Sequence, residues 1–290
     1  MRFKTIGVIT KPDAESVRQT LQTLFGYLKS RDLKVMVDEQ VPDVINHTGF
    51  DKADRDTIGR QCDLAIVVGG DGTILNAVRS LSHAHVPLLG INVGRLGFLA
   101  DISPDELEES LDDILNGKYR EEQRILLEAK VMRDNQLVFE ADAFNDVVIH
   151  IRDVARMIEF ETRINDEFVN HQRADGIVIS TPTGSTAYAL SSGGPILHAT
   201  LDAITLVPIS PHTLSSRPLV VDSDSQIDVL ICNTKEGIAQ VACDGHLSHD
   251  VHVGDHIRIR RKQDKITLLH PCQHNYFEIL RAKLHWSEYA

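Results

Sequence analysis

The sequence predicts an N-terminal α/β domain with a parallel, Rossmann-like sheet, followed by a β-rich, sandwich-like domain. Three observations carry that expectation. Through roughly the first hundred residues, short apolar runs alternate with helix-period segments, as βα units do. From about Arg124 the apolar period changes toward two, as in half-buried strands. The length of 290 residues corresponds to about two domains at roughly 150 residues each.

The elements follow in order. Ile6 to Thr10 reads as a strand, Val17, Leu21, Leu24, Phe25 and Leu28 recur at helical spacing, and Leu33 to Val37 returns to strand character. Asp63 to Val68 is a third strand that stops at Gly69-Gly70; Thr73 to Leu81 then forms a helix with Ile74, Leu75 and Val78 inward. Pro87 to Asn92 repeats the strand pattern. In Ser103-Pro-Asp-Glu106, Ser stands at the N-cap, Pro at the first helical position and Glu where a reciprocal cap needs it. Leu107, Leu111, Ile114 and Leu115 continue that helix, and Gly117 stops it. Its acidic face, Glu108, Glu109, Asp112 and Asp113, reads as solvated surface. Beyond Arg124, Asn135 and Asn165-Asp166 mark turns between runs such as Ile125 to Met132 and Ile158 to Ile164. Ala203 to Val207, Gln226 to Cys232 and Asp255 to Arg261 continue the β pattern, and Asn275 to Leu284 reads as a closing helix.

Composition narrows the function classes. The cysteines, Cys62, Cys232, Cys243 and Cys272, include no pair at C-x-x-C spacing. In a chain long enough to bury substantial cores they read as reduced packing residues, which favours a cytoplasmic compartment. The opening MRFKTIGVIT runs into polar KPDAES, so no apolar leader is expected, and no run approaches the roughly 18 apolar residues of a membrane span. The formal net charge of -12, from 30 Lys+Arg against 42 Asp+Glu, opposes general binding to nucleic acid, which needs many cations to neutralise phosphates. Local anion sites remain open where backbone N–H groups converge or a bound cation supplies charge.

The strongest feature is Val67-Val68-Gly69-Gly70-Asp71-Gly72-Thr73, between a buried strand and a helix start. Ligands of open α/β sheets bind there, beyond the carboxyl end of a strand and near helix N-terminal amides. Three glycines permit close backbone approach to a bulky anion. Asp71 cannot attract phosphate directly; beside one it makes sense as a base for an incoming hydroxyl, as a ligand of a divalent cation, or as both. The plainer reading is a turn in which Asp71 caps the helix. No G-x-x-x-x-G-K-[ST] sequence occurs and this cluster is not G-x-G-x-x-G, which disfavours a Walker-type nucleotidase and a conventional dehydrogenase.

A second strand, opening at Asp175-Gly176, runs into Thr181-Pro-Thr-Gly-Ser-Thr-Ala-Tyr188 and Ser191-Ser-Gly-Gly-Pro195. The hydroxyls of Thr181, Thr183, Ser185 and Thr186, the small Gly184 and the aromatic face of Tyr188 suit sugar and nucleobase contacts; a hydroxyl-rich turn capping a helix is the alternative. G-x-S-x-G is absent around Ser185, against a serine hydrolase. Asn145-Asp146 reads either as a pair that recognises nucleotide hydroxyl or amino groups or as a strand-edge turn, and Asp175 as a strand-start residue. His246, His249, His252 and His256 fall among strand-period residues, which sends successive rings to opposite faces rather than to one metal.

Taken together, Gly69-Gly-Asp-Gly-Thr73, Asn145-Asp146 and Thr181 to Tyr188 with Gly193-Gly-Pro195, in this order, resemble the bacterial NAD kinase family. Similarity extends through Asn92-Val-Gly-Arg-Leu-Gly-Phe98, Ile204 to Leu214 with Arg217-Pro218, and Cys243-Asp244-Gly245. The glycine-rich Asp motif alone is shared with diacylglycerol and sphingosine kinases and is similar to one in phosphofructokinases; the Thr-Gly-Ser-Thr-Ala-Tyr run separates the NAD kinases from them.

The resemblance implies ATP-dependent phosphorylation of the adenosine-ribose 2'-hydroxyl of NAD to NADP, assisted by a divalent metal cation, Mg2+ or Mn2+. It implies Asp71 as catalytic base with Gly72 beside it, and Gly69, Gly70, Gly72 and Thr73 near phosphates. Asn145 and Asp146 would bind the adenosine side; Arg156, Arg173 and Asp175 would line the nucleotide site, completed by Thr186, Ala187, Tyr188, Ala189, Leu190, Ser191 and His246. It implies domains over 1–140 and 141–270, a final helix over 271–290 returning to the first domain, an active site where the domains meet, and a homodimer or homotetramer, with neither nucleic acid nor membrane as partner. The chain departs from the family pattern at Asp146, where Glu is common, and at His246, where enterobacterial relatives have glutamine. Two other classes share some of these features: a lipid or small-molecule kinase using the same phosphate loop, and a non-catalytic NADP-binding regulator.

Overall fold

A computed structural model of the chain describes residues 2–11, 15–41, 49–94, 96–152, 156–234 and 237–286. The chain divides into two compact units, Met1–Gln123 with Ile266–Ala290, and Arg124–Lys265. The expected divisions near 140 and 270 therefore move. The hairpin of Leu127–Arg133 and Gln136–Ala143 pairs into an antiparallel sheet through His256–Arg261, whereas Ile266–His270 pairs in parallel with Leu88–Asn92.

The first unit alternates β1 (Thr5–Thr10), α1 (Glu15–Lys29), β2 (Lys34–Asp38), β3 (Asp51–Ala53), α2 (Arg55–Gln61), β4 (Leu64–Gly69), α3 (Asp71–Leu81) and β5 (Leu88–Asn92), then α4 (Leu107–Leu115) and β6 (Arg120–Arg124). Its seven-stranded sheet runs β3, β2, β1, β4, β5, Ile266–His270, β6, with parallel pairing from β3 to Ile266–His270. All six residues of β4 are buried, as a parallel strand covered on both faces must be. Val17, Leu21, Leu24, Phe25 and Leu28 pack in one cluster with β1, β2 and β4. In α3 the buried set is Ile74, Ala77, Val78 and Leu81; Leu81 takes the inward place expected of Leu75, which is half-buried. At about 1.5–3 kcal/mol for each large apolar side chain, those contacts fix the helix whose first residue is Asp71.

Two local expectations change. Ser103 forms no side-chain cap, because the chain first turns through a 3₁₀ segment at Pro104–Glu106. On the acidic face of α4, Asp112 receives the Tyr27 hydroxyl at 2.6 Å and Arg31 at 2.5 Å, so that residue joins α4 to α1. Cys62 and Cys243 are buried, Cys232 is half-buried and Cys272 is exposed, all as free thiols.

The second unit contains β7 (Leu127–Arg133), β8 (Gln136–Ala143), β9 (Asp146–Ile151), β10 (Ile158–Ile164), β11 (Glu167–Ala174), β12 (Gly176–Ser180), α5 (Tyr188–Ser191), β13 (Ala203–Ile209), β14 (Leu219–Asp222), β15 (Ile227–Asn233), β16 (Ala239–Cys243), β17 (Leu247–Val251) and β18 (His256–Arg261). They form two six-stranded sheets, β11-β10-β15-β18-β7-β8 and β14-β13-β12-β9-β16-β17. Alternate residues of both sheets, among them Val131, Phe160, Val229 and Ile257 from one and Ile149, Ile179, Leu206 and Val241 from the other, share a single core, which makes the unit a sandwich. Asp134-Asn135 and Asn165-Asp166 take positive φ at both positions, the geometry that matches two-residue hairpin turns to strand twist.

After β19 (Ile266–His270), the closing helix α6 (Tyr276–Leu284) belongs to the first unit. Asn275 Oδ1 caps it, accepting from the amides of Phe277 and Glu278, and Tyr276 meets the Phe98 ring at 6.4 Å. Among the described residues, no helix is long and apolar enough to cross a membrane.

Candidate active site

In the first unit, β4 ends at Gly69 and α3 starts two residues later with no side-chain cap at Gly70. Thr73 and Ile74 both donate their amides to the Gly70 carbonyl, at 2.9 and 3.2 Å. A Cβ on Gly70 or Gly72 would meet nothing within 4 Å, whereas one on Gly69 would lie 2.3 Å from Thr73 Oγ1. Gly69 is therefore needed for internal packing, while Gly70 and Gly72 leave the helix N-terminus open to an anion.

Asp71 is half-buried, and its carboxylate is held by the backbone of a second loop. Oδ2 accepts from the Phe98 amide at 2.9 Å and Oδ1 from the Leu99 amide at 3.0 Å. A Cβ on Gly97 would sit 2.1 Å from Oδ1, so only glycine lets this loop close around the carboxylate. Asp71 does not cap its own helix. Asn92, at the carboxyl end of β5, is buried, and its Oδ1 has no hydrogen-bond partner among the described residues. Arg95, within the same motif, lies outside the described residues.

In the second unit, Asn145, Asp146, Ala187 and Tyr188 line one cleft of about 360 Å³, together with Val148, His150, Ala242, Asp244 and Gly245. The Asp244 carboxylate organises its floor, accepting from the amides of Phe144 at 2.9 Å, Asn145 at 2.8 Å and Asp146 at 3.2 Å, while the Asp244 amide returns to the Asp146 carbonyl. Burial, then the neighbouring Asp244 carboxylate, push the Asp146 carboxyl up to about 7. Tyr188 is 44% exposed and presents a ring on the cleft wall.

The hydroxyl-rich run behaves differently from a ligand surface. Thr181 and Ser185 are fully buried and Thr183 nearly so. Thr181 Oγ1 donates to the Phe144 carbonyl at 2.6 Å and accepts from the Gly184 amide at 3.1 Å; Ser185 Oγ donates to Pro182 O and accepts from the Leu197 amide. Thr186 Oγ1 lies 3.4 Å from Thr183 O. Gly184 is fixed sterically, since its Cβ would fall 2.1 Å from the Asn145 carbonyl. These hydroxyls hold the loop against residues 144 and 145, and the buried Arg124 reaches Thr183 Oγ1 at 3.4 Å.

The other expected residues lie outside the lining of that cleft. Ala189 packs in a small core with Val148, Val178 and Val207, and Leu190 and Ser191 complete the α5 turn. His246 is exposed in the turn after β16, its amide on Cys243 O. Arg173 on β11 is paired with Glu159 at 3.4 Å; Arg156 is exposed beside Gly237; Asp175 joins β11 to β12, bonded through its backbone to Ile151 and Ile209. His249 and His256 stand on strands of different sheets. Sequence reasoning missed the structural parts of Asp244, Gly97 and Arg124. Gly97 carried a visible sign, a glycine two residues before a buried Leu in a glycine-rich run, but its partner Asp71 is remote in sequence.

The family model of the ATP-NAD kinase N-terminal domain matches residues 6–119, and that of the ATP-NAD kinase C-terminal domain residues 144–270. The NAD kinase of Chromohalobacter salexigens is 51% identical over 285 residues, covering 98% of this chain and 97% of that one; the NAD kinase of Nitrosococcus oceani is 47% identical over 284 residues, with 98% and 97% covered. A crystal structure of yeast NADH kinase complexed with NADH superposes with a TM-score of 0.90 at 25% identity, covering 100% of this chain and 89% of that one. A crystal structure of an NAD kinase from Archaeoglobus fulgidus in complex with ATP gives 0.74 at 26% identity, covering 96% and 99%.

Proposed function

The chain belongs to the NAD kinase family and phosphorylates NAD, and we propose that it transfers the terminal phosphoryl group of ATP to the 2'-hydroxyl of the adenosine ribose with Asp71 as general base. The observation that carries this reading is the Asp71 carboxylate, pinned by two backbone amides beside an uncapped helix N-terminus. Each oxygen spends one acceptor site on an amide and keeps another, so a ribose hydroxyl can deliver its proton to a base that needs no reorientation. The amides at Gly70 to Gly72 suit the donor phosphates. Positioning and electrostatics dominate such transfers.

The chemistry of the loop fits a divalent cation, Mg2+ or Mn2+, that arrives with ATP: the loop offers one carboxylate, and Mg2+ on a nucleotide takes most of its ligands from phosphate and water. When bound, the cation neutralises charge on the phosphoryl group. In the second unit, Asn145, Asp146 and Tyr188 take the adenosine side, the tyrosine ring stacking on the base and the polar pair reading hydroxyl or amino groups. Arg156, Arg173, Asp175 and His246 have supporting roles around the nucleotide. The four free thiols fit a cytoplasmic location, and exposed apolar side chains on β8 and β11, Leu137, Phe168 and Val169, favour a homodimer or homotetramer, which light scattering reads directly.

Asp71→Asn is nearly isosteric and removes the base, at the cost of one of the two amide contacts, since its NH2 must face the Phe98 or the Leu99 N–H. With NAD, ATP and Mg2+ supplied, turnover is expected to fall by about 100-fold or more while NAD affinity changes only a few-fold. Near-normal turnover would remove Asp71 from the role of base.

A further inference from the structure

The first unit holds a second cluster of chemically capable side chains that phosphoryl transfer does not use. Asp101 follows the loop that embraces Asp71, His270 ends β19, and His274 precedes α6. Asp101 Oδ2 lies 3.1 Å from His270 Nδ1 and 2.5 Å from His274 Nδ1. The two imidazoles stack with centroids 4.0 Å apart. Both rings are buried, and the Asp101 side chain is 8% exposed. One ligand atom from each of the three residues lies within 4.8 Å of the others.

Hydrogen bonding alone leaves this cluster under-satisfied. Without a cation, both Nδ1 atoms must carry protons to face one carboxylate oxygen. Asp101 Oδ1 is buried with no hydrogen-bond partner among the described residues, which native interiors avoid, and is free to serve as a second ligand oxygen beside Oδ2. A cation shared by both Nδ1 atoms and the carboxylate replaces those two protons and moves each imidazole proton to Nε2. Glu122 Oε2 stands 3.9 Å from His270 Nε2, longer than a hydrogen bond but on the side where that proton then sits, so a small shift would give the outer carboxylate contact that metal-bound histidines usually have. Two imidazoles and one carboxylate are donors for zinc and the late first-row divalent ions; Mg2+ prefers oxygen and water.

We propose that Asp101, His270 and His274 bind one zinc-class divalent ion, distinct from the cation that accompanies ATP, with Glu122 behind His270. The ion ties the segment leading into α6 to the loop whose Phe98 and Leu99 amides hold Asp71. Its role is positional, exerted through the loop whose amides hold Asp71.

Untagged protein stripped with a chelator and titrated with Zn2+ against a chromophoric competitor tests this. One equivalent per chain is expected, with affinity lowered about 100-fold or more by His274→Gln, lowered about 10- to 100-fold by Glu122→Gln, and unchanged by His249→Gln. Co2+ in place of Zn2+ should give the visible absorption of a nitrogen- and oxygen-ligated site in the wild type and not in His274→Gln. Absence of an equivalent of tightly bound Zn2+ in the wild type, which requires no variant to fold, overturns the proposal. So does Zn2+ binding that a folded His274→Gln protein retains in full.

Discussion

At Asp71 the chemistry depends on an atom that is absent. The carboxylate fits because Gly97 has no Cβ, and a methyl placed there would fall 2.1 Å from Oδ1. Gly97→Ala is therefore expected to displace the carboxylate and lower kcat by about 10- to 100-fold, and, because Gly97 is buried, to lower Tm as well through overpacking, with circular dichroism at 25 °C reporting whether the fold is kept. Asp146 makes a separate prediction. Its folded pKa, pushed to about 7, exceeds the value of about 3.9 for a free aspartate. The folded protein therefore holds the extra proton between those values, and stability falls as pH rises from about 4 to about 7. Asp146→Asn abolishes that slope, so its advantage in Tm over wild type should be larger at pH 8 than at pH 5, with a ceiling of about 4 kcal/mol. The KM for NAD should vary with pH through neutrality in the wild type and flatten in the variant. Asp71 was legible in the sequence because an acid among glycines after a buried strand is an uncommon pattern. Asp244 was less so: its three amide partners lie about a hundred residues away, and no local spacing encodes such a contact.

Between elements, the loop from Thr181 to Tyr188 combines buried hydroxyls that hold it in place with one exposed ring on a cleft wall. Ser185 Oγ meets Pro182 O, Leu197 O and the Leu197 amide in a fully buried position. Ser185→Ala should cost about 1–3 kcal/mol in urea unfolding. Tyr188→Ala, at an exposed ring, should leave stability within about 1 kcal/mol and raise the KM for NAD by about tenfold, as loss of one stacking contact would. In the parallel sheet β1, β2, β4 and β5 were readable because they are apolar runs, as in the wholly buried β4, whereas β19 was not. Strands β8 and β11 show little alternation, since each has a single neighbour and exposes most of its side chains. The short β3 and α2 bury one residue apiece, Ala53 and Ile58, too few to set a period. At Ser103 the residue types for a reciprocal cap are present, but a 3₁₀ turn comes first.

For the molecule as a whole, length and the change of period gave two units but misplaced their limits, because a hairpin at the start of the sandwich and a strand after its end look alike in sequence and differ only in their partners. The sandwich is one continuous stretch with its own core. A fragment spanning 124–265 is expected to fold alone with a cooperative urea transition, while 1–123 alone should lack one, since it is missing the strand between β5 and β6. The net charge of -12 argues against a nucleic-acid coat, yet NAD and ATP are themselves anions, so total charge does not describe the site that receives them. The place of Ile266–His270 in the sheet also orders events on the ribosome. β6 has no neighbour to pair with until the whole sandwich has been made and β19 has emerged. For that interval the Leu88-Leu89 end of β5 is without its partner, since Ile102 bridges only the far end of the strand, and it forms a short open edge, a template for a chaperone or for another nascent chain. Translation that stalls within the sandwich would leave the kinase half unfinished, however well its phosphate loop had been encoded.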